Sequence, residues 1–265
     1  MTPPTDHEYW EERTRLYGAR AAGYSDAAMD AYEDRLRRAA IERLVGRGDG
    51  RRLLDAGCGS GRWSIRLAEA GWVVTGADIS HGLLALAPSA PNVTYVQGSI
   101  QDLDLPAASF DTVLSVTVLQ HITDDRSFDA AVDNLMRMLR PAGMVAVLEY
   151  APLRVFGSVP GYMHARSRGQ WIRAFSLRGC RLRAETGVRF LGHGPYMLAV
   201  KLTRRLWPAI DKETPPPALN ALRASCQGVD LALARIPGIT LMGDVRLLVF
   251  EKSPVEKSPV EKTAP

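Results

Sequence analysis

Three glycines and two acids have the spacing of a ligand-binding turn. Gly57, Gly59 and Gly61 occupy every second position after Asp55. A glycine-rich turn between a strand and a helix lets a ligand approach the backbone closely and points free N–H groups at it. The second acid, Asp78, lies 17 residues beyond Gly61, where a carboxylate can accept hydrogen bonds from two ribose hydroxyls. The pattern therefore predicts a nucleotide-like ligand at the carboxyl end of the first strand.

Apolar runs around the turn define the elements that must position these residues. Leu53 and Leu54 belong to a short buried strand, and the residues after Gly61 continue as a helix that stops at Gly71. Further strands are expected at residues 72–79, 92–98, 144–150, 181–190 and 244–251, with another inside the run SFDTVLSVTVLQHI (109–122). Further helices are expected at residues 26–45, 124–143 with its exit, 167–177 and 196–207. Alternating strands and helices predict an α/β sheet.

Four motifs in this order resemble those of the class I S-adenosylmethionine-dependent methyltransferases. The glycine spacing is G-x-G-x-G, whereas pyrophosphate-binding turns have G-x-G-x-x-G. The acid Asp78 ends the second strand, Gly98 opens the stretch GSIQDLDLP, Phe110 and Asp111 lead into the fourth strand, and LRPAG ends at residue 143. Within this family the chain is similar to small-molecule enzymes related to those of ubiquinone and menaquinone synthesis. The resemblance extends over residues 25–150.

The resemblance implies S-adenosyl-L-methionine as the cofactor and assigns residues to it. The glycine turn would cradle the amino-acid end, Asp78 would bind the ribose, and the residues after Gly98 would border the adenine. Ile100 would offer its backbone N–H, and Gln101 would reach the adenine amine, although Ser99 replaces the usual Asp. The expected cofactor residues are Tyr24, Asp55, Gly57, Cys58, Gly59, Gly61, Asp78, Ile79, Ser99, Ile100, Gln101 and Val116.

The resemblance also implies a fold for the chain and a division into domains. It implies a Rossmann-like, doubly wound, seven-stranded α/β sheet, mostly parallel with an antiparallel last strand, plus a helical cap or insertion. Residues 1–24 are expected to form a lid, and residues 25–190 and 244–252 the cofactor-binding domain. Residues 191–243 are then an insertion, interpreted as an acceptor-binding cap, a structural element or a dimer element. The tandem repeat at the end predicts a disordered tail over residues 253–265.

Two side chains are the candidates for acid–base chemistry. His121 directly follows the fourth strand, and the working pKa range of histidine suits proton transfer. Glu149, at the end of the fifth strand, is the second candidate, ahead of His164 and His193. A structural or substrate-contact role for His121 stays open, because aligning the acceptor with an electrophilic methyl group supplies most of the rate. No metal-ligand spacing is present.

Composition favours a compact intracellular enzyme. Hydrophobic residues make up 46% of the chain, without an apolar run long enough to span a bilayer. The first residues have no secretory signal pattern, and the three cysteines have neither disulfide nor metal spacing. A cytoplasmic location and a monomer or homodimer are expected.

Positive charge is concentrated in one segment. Residues 151–210 contain eleven Lys or Arg and one acid, Glu185. Such a patch would draw in an anionic small acceptor, contact nucleic acid, or form a solvated face. Nucleic acid is the least favoured partner, because the chain carries no RNA-binding motif.

The expected function is S-adenosylmethionine-dependent methyl transfer to a small-molecule acceptor, either acidic, quinone-like or a secondary metabolite. Methylation of O, N or C is left open. The alternatives are an RNA or protein methyltransferase, an NAD-type oxidoreductase and a non-catalytic cofactor-binding module. The glycine spacing and the Phe-Asp motif argue against the oxidoreductase.

Overall fold

The computed structural model describes residues 6–22, 27–155, 157, 161–190, 193–206, 216–236 and 238–254 of the chain. Its centre is a seven-stranded sheet with the order β3-β2-β1-β4-β5-β7-β6. The strands are β1 (Arg52–Ala56), β2 (Val73–Asp78), β3 (Val93–Gln97), β4 (Phe110–Val116), β5 (Leu139–Tyr150), β6 (Cys180–Gly187) and β7 (Val245–Lys252).

The sheet has the predicted topology. Strands β3, β2, β1, β4 and β5 pair in parallel, and β7 runs antiparallel to both of its neighbours, β5 and β6. The strand order reverses between β1 and β4, which places a crevice outside the carboxyl ends of these two strands. The expectation of a Rossmann-like, mostly parallel α/β sheet is confirmed.

Helices cover both faces of the sheet. They are α1 (Asp6–Tyr17), α2 (Ala27–Leu44), α3 (Arg62–Glu69), α4 (His81–Ala85), α5 (Asp125–Met138), α6 (Arg168–Ser176), α7 (His193–Leu206) and α8 (Pro217–Leu233). On one face α5 and α6 bury Phe128, Leu135, Trp171 and Phe175 against the sheet. On the other face α2, α3, α7 and α8 contribute Tyr32, Trp63, Tyr196 and Cys226 to a second core. The chain is therefore doubly wound.

Some element boundaries differ from the sequence-based expectation. Strand β5 begins at Leu139, five residues before the predicted start, because Leu139 pairs with Phe110 and the register then shifts so that Met144 pairs with Thr112. The LRPAG turn is the segment that loops out between these pairs, with Ala142 at a φ of 60°. Strand β6 ends at Gly187 rather than at residue 190.

The insertion at residues 191–243 packs against the second helix. Tyr32 of α2 donates a 2.7 Å hydrogen bond to Asp230 of α8, and its ring stacks on Tyr196 of α7 at 5.0 Å. Among the described residues, no helix is both long and apolar enough to cross a bilayer. Most of the predicted disordered tail (253–265), together with Ser25 and Tyr24, lies outside the described residues.

Candidate functional site

A cavity of about 680 Å³, including space open to solvent, lies at the carboxyl edge of β1, β2 and β4. It combines residues from the glycine turn, the end of β2, the segment after β3 and the segment after β4. Its lining residues are Asp6, Trp10, Gly57, Asp78, Ile79, Leu83, Gly98, Ser99, Ile100, Gln101, Val116, Thr117, Val118, His121 and Ile122. Seven of the twelve predicted cofactor residues are in this lining, although they come from four separate stretches of the chain.

The glycine turn is held open by its backbone conformation. Gly57, Gly59 and Gly61 have φ values of 78°, 55° and 77°, which residues with side chains rarely adopt. A Cβ atom on Gly57 would lie 2.3 Å from a methyl group of Val118. The turn therefore requires glycine for both conformation and space, and its backbone forms one wall of the cavity.

The two predicted acids have different surroundings. Asp55 is fully buried beneath the turn, where it accepts a 2.6 Å hydrogen bond from the Ser64 hydroxyl, and burial raises its pKa to about 7. Asp78 lines the cavity, and its carboxylate accepts hydrogen bonds from the N–H of Gly59 at 2.8 Å and of Ser80 at 2.9 Å. Burial raises the pKa of Asp78 as well. Asp78 thus faces the ligand space and also fixes the glycine turn, whereas Asp55 supports the turn from below.

The segment after β3 forms the opposite wall of the cavity. Ser99, Ile100 and Gln101 line it as predicted. Helix α5 holds this segment, because the side-chain amide of Asn134 donates hydrogen bonds to the carbonyls of Ile100 at 3.0 Å and Leu103 at 3.1 Å. Asn134 is a support that the sequence analysis missed, since only the tertiary fold brings α5 to this segment.

A second lobe of about 440 Å³ adjoins the glycine turn and shares Gly57, Val116 and Thr117 with the first cavity. It is lined by Ala19, Arg37, Gly57, Cys58, Ser60, Arg62, Trp63, Val116 and Thr117. Arg62 is paired with Asp30 at 2.8 Å, and Arg37 lies 3.5 Å from Glu33. Arg37 therefore brings a guanidinium group to this lobe, which the sequence analysis did not anticipate because Arg37 belongs to a helix twenty residues before the turn.

His121 lines the cavity beyond the end of β4. The chain reaches it through Thr117, which has the rare φ of 54° for a non-glycine residue. The Nδ1 atom of His121 lies 3.0 Å from the Tyr162 carbonyl, which can only accept, so Nδ1 carries the proton and Nε2 keeps its lone pair. Burial lowers the pKa of His121, so the ring is neutral at pH 7.

Gln120 fixes the other side of the His121 ring. Its Oε1 atom accepts a 2.9 Å hydrogen bond from the Tyr150 N–H, so its amino group is the one directed at His121 Nε2, 3.4 Å away. Both ring nitrogens of His121 therefore have defined neighbours. The contact between the Gln120 amino group and Nε2 is long, so Nε2 can still accept a hydrogen bond from a closer donor.

Glu149 does not line the cavity. It is fully buried, and its carboxyl oxygens accept hydrogen bonds from the backbone N–H groups of Val118 at 3.1 Å, Leu119 at 3.0 Å and Gln120 at 3.4 Å. Burial raises its pKa to about 8, despite these three donors. Glu149 therefore holds the turn that carries His121, and the structure gives it no contact with the reaction space.

The environment of Glu149 predicts a pH-dependent stability. The folded protein retains the Glu149 proton up to about pH 8, whereas the unfolded chain releases it near its ordinary pKa of 4.5. The free energy of unfolding should therefore fall as pH rises through this window. In Glu149→Gln, whose amide cannot titrate, the fall in unfolding free energy over this pH window should be smaller by on the order of a few kcal/mol. Urea unfolding at a series of pH values measures the difference.

The buried carboxyl of Asp55 gives wild type and Glu149→Gln the same pH dependence of stability. The difference between their two pH series therefore reports on Glu149 alone. Below about pH 4, where Glu149 is protonated in both the folded and the unfolded chain, the stabilities of wild type and Glu149→Gln should run parallel with pH. A constant difference between the two proteins at every pH would show instead that folding does not raise the pKa of Glu149.

Helix α1 closes one side of the cavity. Asp6 and Trp10 line it, and the Trp10 ring meets His121 edge-on at 5.1 Å. The helix is anchored on α4, because Glu11 accepts a 3.2 Å hydrogen bond from the Gly82 N–H and the Thr14 hydroxyl lies 3.4 Å from the Ser80 hydroxyl. No described residue of α1 is itself buried. The N-terminal helix thus covers the cavity without belonging to the core.

The described arginines of residues 151–210 do not line the cavity. Six of them pair with acids: Arg168 with Glu185 of the same segment, and, with acids from other parts of the chain, Arg166 with Asp125, Arg178 with Asp129 and Asp133, Arg181 and Arg183 with Glu251, and Arg189 with Asp244. The local charge excess that suggested an anionic acceptor is therefore largely balanced by the tertiary structure.

The remaining predicted candidates are His164 and His193. The His164 ring contacts the Thr123 carbonyl at 3.0 Å, and the side chain of His193 is not described. His164 does not line the cavity, and neither does any described side chain of the insertion at 191–243. Within the described residues, no group of three His, Cys, Asp or Glu side chains is arranged to hold a metal ion.

Part of the chain matches a known family of domains. Residues 53–143 match the protein-family profile described as "Methyltransferase domain". A malonyl-[acyl-carrier protein] O-methyltransferase from Serratia marcescens is 38% identical over 131 residues, which are 48% of this chain and 48% of that protein. Ubiquinone-biosynthesis and demethylmenaquinone methyltransferases are among the other relatives, as the sequence motifs predicted. The chain thus spans about half the length of the curated relatives it matches.

Solved structures share the fold at low sequence identity. The [4+2]-cyclase SpnF has a TM-score of 0.63 at 20% identity, covering 96% of this chain and 98% of its own. Haemonchus contortus phosphoethanolamine N-methyltransferase 2, solved with phosphomonomethylethanolamine and S-adenosylhomocysteine, has a TM-score of 0.62 at 17% identity, covering 95% of this chain and 61% of its own. At these identities the likeness concerns the fold alone.

Proposed function

We propose that this chain, which carries a methyltransferase domain at residues 53–143, transfers a methyl group from S-adenosylmethionine to a small-molecule acceptor. The observation that carries the proposal is the position of Asp78, which faces the cavity while its carboxylate fixes the glycine turn. The same carboxylate can also accept hydrogen bonds from ribose hydroxyls, because a carboxylate has about four acceptor sites and the N–H groups of Gly59 and Ser80 take one each.

The two lobes of the cavity fit the two ends of the cofactor. Ile79, Ile100 and Leu83 offer apolar walls for an adenine ring, and Gln101 offers a side-chain amide. In the second lobe Arg37 and the glycine turn suit the carboxylate of the amino-acid end, because guanidinium and backbone N–H groups both bind carboxylates well. When bound, S-adenosylmethionine supplies a sulfonium methyl group that is already electrophilic.

Acceptor binding is assigned to the part of the cavity between α1 and His121. Trp10 offers an apolar wall there, Asp6 a carboxylate, and Val116 and Thr117 the backbone that joins the two lobes. Walls of this kind exclude water and align the acceptor, which is the main catalytic requirement when the methyl donor is already activated. No described Lys or Arg lines this lobe, so the proposal does not extend to an anionic acceptor.

His121 is the proposed base for a hydroxyl acceptor. Its Nδ1 proton is held by the Tyr162 carbonyl, and burial keeps the ring neutral, so Nε2 is free to take the proton of the acceptor hydroxyl. The Glu149 hydrogen bonds to residues 118–120 keep the ring at the cavity wall. The Gln120 amino group would release Nε2 at little free-energy loss, because their contact is long.

Ligand-induced stabilisation tests the cofactor assignment directly. S-adenosylhomocysteine at a concentration of about 100 times its Kd should add about 2.7 kcal/mol of stability, visible as a rise in melting temperature. NAD at the same concentration should leave the melting temperature unchanged. A shift with NAD and not with S-adenosylhomocysteine would overturn the proposal in favour of an oxidoreductase, and an acceptor screen coupled to S-adenosylhomocysteine release then tests turnover.

The role of the N-terminal segment as a lid is open to a separate test. Since α1 buries none of its described residues, a chain that starts at residue 18, directly after this helix, should keep its melting temperature without ligand. The same chain should lose most of its methyl-transfer activity, because Asp6 and Trp10 no longer close the cavity. Trp10→Ala in the full chain is the matched variant and should reproduce part of the loss. Full activity of the shortened chain would contradict the lid.

A further inference from the structure

Helix α7 has large apolar side chains on its solvent side. Its inner side is already occupied, because Tyr196 and Val200 are buried in the core beside α2. Met197, Leu198, Leu202 and Leu206 are all exposed on the rest of its circumference. We name the exposed side formed by Met197, Leu198, Lys201, Leu202, Arg205 and Leu206 the outer face of α7.

Exposed apolar side chains are concentrated in this region of the molecule. Of the fifteen large hydrophobic residues that are exposed, seven lie in the insertion at 191–243: Met197, Leu198, Leu202, Leu206, Val229, Ile236 and Met242. Scattered single exposures are ordinary on protein surfaces, whereas a stripe along one helix marks an interaction site. Leu198, Leu202 and Leu206 are four residues apart, so they form such a stripe.

The charges on the same helix are of one sign. Lys201 and Arg205 are exposed and lie beside the leucine stripe, and no described ion pair involves either of them. Across the described residues of α7 and α8 the single acid is Asp230, which is fully buried. Arg166, Arg168, Arg178 and Arg189 differ, since they have acidic partners. The cations on the outer face are therefore available to an external anion.

We propose that the outer face of α7 docks on the surface of an anionic lipid bilayer. A helix with leucines and unpaired cations on one side and no acids lies in the interface of such a membrane, with its leucines in the acyl boundary and its cations at the headgroups. A second copy of the chain fits less well, because a symmetric contact would bring Lys201 and Arg205 of the two copies together. The inference does not depend on the proposed function.

Vesicle co-sedimentation of the full chain tests the proposal. Vesicles of phosphatidylcholine with phosphatidylserine should sediment the wild-type protein, and vesicles of phosphatidylcholine alone should do so much less. Lys201→Glu with Arg205→Glu should reduce the partition coefficient by at least about fivefold for each charge. Leu198→Ser with Leu202→Ser should reduce it by about tenfold or more on the same vesicles.

A matched control lies on α6, outside this surface. Arg173 and Leu177 are both exposed there, so Arg173→Glu with Leu177→Ser changes the same residue types and should leave sedimentation unchanged. Circular dichroism of each variant establishes that it is folded. Equal sedimentation of wild type on both vesicle types, or of all variants, would overturn the proposal. So would light scattering that shows a wild-type dimer dissociated by the two leucine substitutions without any vesicle binding.

Discussion

Asp78→Ala is expected to weaken the affinity for S-adenosylhomocysteine by at least about tenfold, which corresponds to about 1.4 kcal/mol. The substitution leaves the ribose hydroxyls without their acceptor, and a lost partner in a buried site costs about 1–3 kcal/mol. It also removes the acceptor of the Gly59 and Ser80 N–H groups, so the glycine turn loses a support. Isothermal titration calorimetry of wild type and variant measures the change.

Two further variants separate the causes of that loss. Asp104 is an exposed acid outside the cavity lining, so Asp104→Ala should bind S-adenosylhomocysteine as wild type does. Asp78→Asn keeps the size of the side chain but turns an amino group toward an N–H donor, so it should weaken binding nearly as much as alanine does. Unchanged affinity in Asp78→Ala would remove the ribose assignment, and with it the main support for the cofactor site.

His121→Ala is expected to lower kcat by roughly 10²–10⁴-fold for a hydroxyl acceptor, the usual contribution of a general base. Affinity for S-adenosylhomocysteine should be close to that of wild type, because the predicted adenine and ribose contacts lie elsewhere in the cavity. Since burial lowers the pKa of His121 below 6.5, wild-type kcat should rise with pH through that lower value and be level by neutral pH. The variant should lack this acid limb.

His81→Ala is the matched control, since His81 is exposed on α4 and does not line the cavity. It should retain both the rate and the acid limb. If His121→Ala keeps the acid limb with a modest loss of kcat, His121 contacts the acceptor without acting as its base. Comparison of kcat with KM in that variant then shows whether the contact serves binding or alignment.

The fold and the cofactor side of the site were largely predictable because their signals are local. The G-x-G-x-G spacing requires three positive φ values, and the structure has all three. Apolar runs bounded by turns marked the strands, and the parallel order followed from the family motifs. The predicted start of β5 was wrong, since the strand begins at Leu139. Its early pairing involves a register shift that depends on the partner strand and cannot be read from the residues of β5 themselves.

The catalytic side was only partly predictable. His121 lines the cavity as expected, but Glu149 stands behind it and serves the backbone of residues 118–120. His121 follows β4 and Glu149 lies at the end of β5, at the same sheet edge, and the sequence does not say which of two such side chains points outward. Arg37 and Asn134 were missed because each reaches the site from a helix distant in the chain.

The charge count along the chain was the least reliable guide to the acceptor. Eleven basic residues against one acid in residues 151–210 suggested an anionic acceptor, yet Arg178, Arg181 and Arg189 pair with Asp133, Glu251 and Asp244. A count along the chain omits partners that folding brings from elsewhere. The same reasoning leaves Lys201 and Arg205 as the informative cations, since α7 itself contains no acid.

The sequence by itself determined the glycine turn, the acid that ends β2 and the order of strands and helices, because φ preferences, spacing and hydrophobic period act between near neighbours. Tertiary structure alone decided which side chains share the cavity. Long-range packing brought α1 over His121, set Glu149 behind it and paired arginines such as Arg178, Arg181 and Arg189 with distant acids. Such contacts depend on loop closure and burial over the whole chain, which no local pattern encodes.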